Sequence, residues 1–144
     1  MAVYGAAQPE FKKQFLAKLV QACRKMSLPL LIGGDFNIIR NSSEKNNDKF
    51  DSRGSFLFNA IIDGLDLREI KMSDLREIKM SGRKFTWANS KSVPTYEKLD
   101  RVLASMELEQ KFPLVTVDAL NRKILDHTPL LLSTGEKVYM GNKL

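Results

Sequence analysis

The sequence predicts an α/β domain in which short strands are layered against helices. Three observations support this fold class: one segment has apolar residues at helical spacing, several apolar runs are too short for helices, and polar stretches separate them. With 144 residues, of which 43% are hydrophobic and 28% charged, the chain can bury one core but has no room for two full domains.

The first helix is predicted over residues 9–26, with Pro9 in its first turn and basic residues near its end. Its apolar positions recur every three or four residues, at Phe11, Phe15, Leu19, Ala22, Cys23 and Met26. The continuously apolar stretch "LPLLIGG", residues 28–34, is too short for another helix and predicts a strand buried on both faces. The polar residues 40–52 predict a surface loop.

A second helix is predicted over residues 55–64, where Gly64 stops it. The octapeptide "DLREIKMS" then occurs twice without change, at Asp66–Ser73 and at Asp74–Ser81. Because eight is even, an inserted copy keeps the in-out phase of a strand, so either copy fits the same sheet position. We therefore expect a looped-out copy or an ambiguous register. The alternative is one helix with Leu67, Ile70, Leu75 and Ile78 on its apolar face.

The second half of the chain is predicted to form a hairpin, a short helix and two further strands. These elements span residues 83–89, 95–105, 105–112, 114–120 and 128–133. We expect the domain to occupy residues 1–134, and the tail at 135–144 carries no clear pattern. Strands mixed with helices in this way indicate α/β or α+β layering.

Composition excludes several classes of protein. A single cysteine, Cys23, rules out an intrachain disulfide and a cysteine-rich zinc site. No apolar run approaches the roughly 20 residues of a membrane span, and "MAVYGAAQPE" does not resemble a secretory signal. We expect a soluble intracellular protein, nuclear or cytoplasmic, with no membrane partner. The formal charge of +6 suits a polyanionic partner but does not require one.

Two pairs of polar residues lie at the ends of apolar strands, one just after a strand and one just before another. Asp35 and Asn37 in "GGDFN" face the same side if the strand runs on to Asn37, at the carboxyl end where open α/β sheets place their sites. The alternative is a glycine turn with two turn-forming polar residues. Asp126 adjoins the only histidine, His127, and both could serve one site only from an irregular turn before Pro129. A solvated loop pair is the alternative.

Asp100 lies in the apolar strand "EKLDRVLAS" and needs a partner if it is buried. His127 would satisfy the carboxylate and hold the imidazole in one tautomer. An ion pair with Arg101 or with a lysine is the structural alternative.

Three motifs occur in order along the chain, namely "GGDFN" at residues 33–37, "KLDRVL" at 98–103 and "DHTPLLL" at 126–132, with "VYG" and a helix ahead of them. Together they resemble the endonuclease/exonuclease/phosphatase superfamily, in particular the endonuclease domain of plant non-LTR (long interspersed) retrotransposons. The resemblance covers about residues 3–134. It implies a four-layer α/β sandwich, truncated here to one mostly antiparallel sheet with flanking helices, and magnesium-dependent hydrolysis of phosphodiesters.

The resemblance also implies a role for each motif residue. Asp35 would orient or deprotonate the attacking water, and Asn37 would donate to a phosphate oxygen. Asp126 would lie in the magnesium shell, and His127, held by Asp100, would contact or protonate the phosphate. Tyr4 in "VYG" matches the family tyrosine that reaches the phosphate; an aromatic residue at a strand end is its structural alternative.

The hairpin matches the segment that retrotransposon endonucleases use to probe DNA. Its basic residues would contact phosphates without specifying sequence. They are Arg83, Lys84, Lys91 and Lys98. Trp87 is more typical of a core residue than of a base-stacking one.

The chain also departs from the family pattern. The family's N-terminal half, with its metal-binding glutamate, has no counterpart, and Leu125 replaces the usual serine before Asp126. Because magnesium binds weakly to one carboxylate, we expect little or no nuclease activity from this chain alone. The alternative to an impaired endonuclease is a non-catalytic interaction protein that binds protein or nucleic acid, or self-associates, through an uncovered sheet. A phosphatase is the third possibility.

Overall fold

The computed structural model describes residues 1–72, 85–120 and 126–135. Within these ranges the helices are α1 (Pro9–Lys25), α2 (Ser52–Gly64) and α3 (Met106–Lys111), and a 3₁₀ turn spans Ser42–Glu44. The strands are β1 (Ala2–Tyr4), β2 (Leu31–Asp35), β3 (Leu67–Glu69), β4 (Trp87–Ala88), β5 (Tyr96–Glu97), β6 (Asp100–Ser105), β7 (Thr116–Ala119) and β8 (Leu130–Ser133). The predicted α/β class is confirmed.

The two long helices follow from their local sequences. α1 begins at Pro9 and ends with basic residues that complement the helix dipole. α2 begins three residues earlier than predicted, because the side chain of Asp51 accepts a hydrogen bond from the backbone N–H of Gly54 at 3.1 Å and caps the helix. No helix in the described part of the chain is long and apolar enough to cross a bilayer.

The central sheet has four strands in the order β1-β2-β6-β3. β1 runs parallel to β2, and the other two pairings are antiparallel, so the predicted mostly antiparallel sheet with flanking helices is confirmed. Ile32 and Leu103 are cross-strand partners with no exposed surface, and they pack with Leu16 of α1 and Phe58 of α2. This is the helix-covered face of the sheet.

The opposite face carries the candidate site and is covered unevenly. Val102 and Ala104 of β6 are buried, Leu31 and Gly33 of β2 are half-buried, and Ala2 and Tyr4 of β1 are exposed. The prediction that β2 is buried on both faces is therefore wrong, because Leu31 keeps part of its surface in solvent. The exposed parts of this face are at its two edges, on β1 with part of β2 and at Arg68 of β3, which is the cross-strand partner of Ala104.

The predicted strand over residues 95–105 is divided in two. β5 pairs with β4 in a small hairpin, and β6 joins the central sheet, so the chain changes sheets at Lys98 and Leu99. β7 and β8 pair antiparallel, as two strands shorter than predicted.

The first copy of the repeat occupies the sheet. Its residues Leu67–Glu69 form β3 and pair antiparallel with β6, and Ile70 extends the pairing by donating to the carbonyl of Val102 at 2.9 Å. Leu67 is buried in the core, which helps to hold this copy in place. The helical alternative is therefore wrong for these residues. The second copy, Asp74–Ser81, lies outside the described residues.

Deleting eight residues of the repeat should change the free energy of unfolding by less than about 1 kcal/mol, because loop-closure entropy depends only weakly on loop length. Since the copies are identical, removal of either leaves the same chain, which keeps Leu67 and Glu69. Urea denaturation measures the change. A chain with residues 74–81 replaced by eight glycine and serine residues controls for loop length. A loss of several kcal/mol in the deleted chain would show that one copy is insufficient.

Candidate active site at the carboxyl end of β2

Two carboxylates meet where β2 ends and β6 begins. Asp35 and Asp100 are direct cross-strand partners, so their side chains lie on the same face of the sheet. Asp35 is 7% exposed. Gly34 precedes it with φ of 142°, and a Cβ there would lie 2.1 Å from the carbonyl oxygen of Val3, so the close contact of β1 with β2 requires glycine.

A turn, not strand periodicity, brings Asn37 to Asp35. The strand ends at Asp35, and Asn37 has φ of 51°. The backbone N–H of Asn37 donates to Asp35 Oδ1 at 2.8 Å, and its amide Nδ2 donates to Asp35 Oδ2 at 3.0 Å and to the Gly5 carbonyl at 2.9 Å. Of the two alternatives left open by the sequence, the turn is the one that forms, and the two side chains converge through it. Both amide hydrogens are engaged, so donation to a phosphate would require one bond to break.

His127 lies between the two carboxylates. Its Nδ1 is 2.8 Å from Asp100 Oδ2, which is a hydrogen bond, and its Nε2 is 3.6 Å from Asp35 Oδ2, which is too long for one. The imidazole is the partner that Asp100 requires, in preference to Arg101. The histidine side chain is 30% exposed, so part of the imidazole is open to solvent.

Electrostatics shift both Asp35 and His127 toward their protonated forms. Burial raises the pKa of Asp35, hydrogen bonds from Asn37 oppose the shift, and the charge of Asp100 adds to it. Burial lowers the pKa of His127, but the hydrogen bond and charge of Asp100, with smaller contributions from Asp35 and Asp126, outweigh it, and the net shift is upward. At neutral pH His127 is therefore more protonated than a free histidine.

Replacing Asp100 by asparagine should lower the pKa of His127, because the negative charge that favours the imidazolium is lost. In the wild type this attraction stabilises the fold fully below the unfolded pKa of about 6.5 and is lost as the pH rises through the raised folded value. Stability should thus fall with rising pH across this range, and less so in Asp100→Asn. NMR titration of the imidazole and denaturation at several pH values measure both effects. Asp126→Asn is the control, and a pKa change as large as that in Asp100→Asn would contradict the assignment.

The remaining motif residues lie at the rim. Tyr4 is 80% exposed and is the cross-strand partner of Asp35. Asp126 is exposed, and its backbone carbonyl accepts from the N–H of Ala88 at 3.1 Å. Among residues 1–72, 85–120 and 126–135, no group of three or more His, Cys, Asp or Glu side chains is placed to hold a metal ion. These residues do not by themselves fit a magnesium site.

The structure describes two of the four predicted DNA-contacting residues, and only one of these two is exposed. Lys91 is exposed in the hairpin loop. Lys98 is ion-paired with Glu69, and its side chain is only 17% exposed, so its charge is already compensated. Arg83 and Lys84 lie outside the described residues, as does Leu125. Trp87 is half-buried and is the bridge partner of His127.

A buried ion cluster supports the site from the helix-covered face. Arg101 is 1% exposed, and its guanidinium contacts Glu44 at 2.9 Å and Glu69 at 3.0 Å. Burial disfavours the carboxylate of Glu69, but Arg101 and Lys98 lower its pKa to about 2. Arg101 also donates to the Ile38 carbonyl at 3.3 Å, next to Asn37. Strand phase places Arg101 opposite Asp100, but no local pattern identifies its partners.

Neither a family model nor a curated protein matches the chain. Two solved structures do. The endonuclease domain of TRAS1, a telomere-specific non-LTR retrotransposon, matches with a TM-score of 0.59 and 17% identity, over 91% of this chain and 53% of that one. The 3′ phosphatase NExo from Neisseria, bound to a product DNA hairpin, matches with a TM-score of 0.65 and 23% identity, over 92% and 59%. This chain spans less than two thirds of either neighbour, and over that length it has an endonuclease/exonuclease/phosphatase-type fold.

Proposed function

We propose that this chain is a retrotransposon-derived DNA endonuclease domain, or part of one, whose site binds a DNA phosphodiester and hydrolyses it weakly or not at all on its own. The observation that carries the proposal is the position of His127, hydrogen-bonded to Asp100 at 2.8 Å and facing Asp35 at 3.6 Å. The nuclease-type fold and the retrotransposon endonuclease among its structural neighbours support this assignment.

Each residue of the cluster has a chemical task in this proposal. Asp100 holds Nδ1 of His127, so the other ring nitrogen faces the ligand. The raised pKa of His127 favours an imidazolium that donates from Nε2 to a phosphate oxygen. Asp35 accepts a proton from water or orients it, and Asn37 holds the Asp35 carboxylate through two hydrogen bonds. We propose that Tyr4, which is exposed at the rim, contacts the phosphate.

Magnesium belongs to the proposal only as a weakly held ion. The family resemblance implies that it would offset charge on the phosphate when bound, with Asp126 as its ligand. The described residues supply no group of three ligands, and magnesium keeps its waters unless several oxygens are fixed in place. We therefore expect slow hydrolysis or none, even if the site binds the phosphate.

DNA is the proposed partner. The chain carries a formal charge of +6, and the exposed Lys91 lies in the hairpin loop beside the strand that contacts His127. Lysine contacts with phosphates supply affinity without sequence information and weaken as the salt concentration rises. Arg83 and Lys84 are proposed as further contacts from the sequence alone.

The proposal is tested by measuring DNA binding and DNA cleavage separately. Fluorescence anisotropy with a labelled duplex should show salt-sensitive binding that is reduced several-fold in His127→Ala and unchanged in Lys25→Ala, a control at the end of α1. Nicking of supercoiled plasmid with magnesium should be slight or absent. Strong nicking that is lost in Asp126→Ala and His127→Ala would show a complete active site and overturn the expected impairment. DNA affinity that is unchanged in His127→Ala would refute the phosphate site.

A second candidate is a non-catalytic interaction protein. It is favoured by β1, which lies at the edge of the four-stranded sheet and exposes Ala2 and Tyr4 on the site face. In that case the chain should self-associate or bind a protein partner in the presence of a chelator, and Tyr4→Lys should weaken the association. Analytical ultracentrifugation separates the two candidates, because DNA binding through His127 requires no self-association.

A further inference from the structure

Thr86 is a buried residue whose hydroxyl binds two consecutive amides. It is 1% exposed, and its Oγ1 accepts hydrogen bonds from the N–H groups of Leu99 and Asp100, both at 2.9 Å. In a regular strand, neighbouring N–H groups point in opposite directions. Two of them on one oxygen therefore mark a bend in the chain, and the hydroxyl satisfies both donors there.

This bend determines where Asp100 begins its strand. β5 ends at Glu97 and belongs to the hairpin, whereas Asp100 is the first residue of β6 in the central sheet. The carbonyl of Leu99 accepts a hydrogen bond from the N–H of Phe36 at 2.9 Å. The bend is therefore held by Thr86 through the N–H groups of Leu99 and Asp100 and by Phe36 through this carbonyl. The direction of the Asp100 carboxylate follows from the backbone at this point.

The same short segment also holds the histidine. The carbonyl of Thr86 accepts from the N–H of Thr128 at 2.6 Å, and the N–H of Ala88 donates to the carbonyl of Asp126 at 3.1 Å. These bonds flank His127, which is itself the bridge partner of Trp87. Residues 86–88 thus form hydrogen bonds with Asp126 and Thr128, the two neighbours of His127 in the chain.

We infer that Thr86 is a positioning residue that sets the contact between Asp100 and His127. Its hydroxyl orients the Asp100 backbone, and its carbonyl orients the segment that carries His127. The 2.8 Å contact between His127 Nδ1 and Asp100 Oδ2 depends on the hydroxyl and on the carbonyl of Thr86. Thr86 touches no reacting atom. The inference rests on the proposed function for its biological meaning, but the geometric role can be tested without DNA.

Two substitutions separate the hydroxyl from the shape of the side chain. Thr86→Val keeps the branched shape and removes the acceptor, whereas Thr86→Ser keeps the acceptor. Ser105→Ala is the matched control, because Ser105 is also buried, at the other end of β6, and its hydroxyl accepts from the N–H groups of Leu30 at 3.0 Å and Leu108 at 3.4 Å. It destabilises the same strand without touching Asp100.

The readout is the imidazole N–H resonance of His127 in NMR spectra. The chain has one histidine, so the signal needs no assignment among several. We expect a slowly exchanging Nδ1–H signal in the wild type, in Thr86→Ser and in Ser105→Ala, and its loss in Thr86→Val at a temperature where all four are folded. A signal that persists in Thr86→Val, or that is lost equally in Ser105→Ala, would overturn the inference.

Two further outcomes are distinguishable. If Thr86→Val does not fold, hydrogen exchange of the wild type decides: slow exchange of the Leu99 and Asp100 amides supports the inference, and fast exchange at both overturns it.

DNA binding is measured on the same variants. Wild-type protein that shows the resonance but binds no DNA refutes the proposed function and leaves the positioning role of Thr86 intact.

Discussion

Replacing Arg101 by alanine is expected to lower the free energy of unfolding by about 3–5 kcal/mol, the range for breaking a buried ion pair by removing one partner. The guanidinium is 1% exposed and contacts both Glu44 and Glu69. Glu69 would keep Lys98 and Arg40 as cationic partners, but Glu44, 7% exposed, would keep only the backbone N–H of Arg40 among its described partners. An uncompensated buried carboxylate accounts for most of the loss.

Urea denaturation measures this effect, and Arg68→Ala is the matched control. Arg68 is exposed on β3, one residue before Glu69, so its removal should cost less than about 0.5 kcal/mol. A loss of under 1 kcal/mol in Arg101→Ala would mean that the cluster contributes little. The loss of unfolding free energy in Arg101→Lys should lie between those of Arg101→Ala and Arg68→Ala, because an ammonium cannot reproduce the forked contacts of a guanidinium.

Replacing Gly34 by alanine is expected to cost roughly 2–4 kcal/mol, through backbone strain and displacement of β1. Gly34 has φ of 142°, and an added Cβ would lie 2.1 Å from the carbonyl oxygen of Val3. That clash involves backbone, so no side-chain rotation can relieve it. Displacement of β1 would also move Gly5, whose carbonyl accepts from the Asn37 amide, and DNA binding should weaken with stability.

The neighbouring glycine provides the control. A Cβ on Gly33 would meet Val102 Cγ2 at 3.6 Å, an ordinary contact, so Gly33→Ala should change stability by less than about 1 kcal/mol. Denaturation of both variants decides the matter. Equal losses would indicate that the strand merely disfavours alanine, and that the positive φ of Gly34 is not the cause.

Several side chains of the candidate site can be predicted from three short motifs and their order along the chain. The helix at Pro9–Lys25 follows from its apolar spacing, and the motifs point to Asp35, Asn37, Asp100 and His127. The structure brings these four side chains together. Sequence alone leaves a strand and a turn open for Asn37, and the structure selects a left-handed turn held by side-chain hydrogen bonds.

Other features could not be read in this way. The motifs suggest that Lys98 contacts DNA, but its ammonium pairs with Glu69 of β3. Thr86 carries no motif, and its importance depends on two amides that lie 13 and 14 residues further along the chain. The partners of Arg101 lie 57 and 32 residues away, at Glu44 and Glu69.

Local sequence predicts the α/β class, the first helix and the chemical groups of the candidate site, because hydrophobic periodicity and the residues of each motif can be read from short stretches of the chain. Folding selects the first copy of the repeat for β3, pairs Asp100 with His127 and not with Arg101, and buries Arg101 on the helix-covered face. Adjacent strand residues face opposite sides of the sheet, and which partners meet them there depends on segments brought together only by folding.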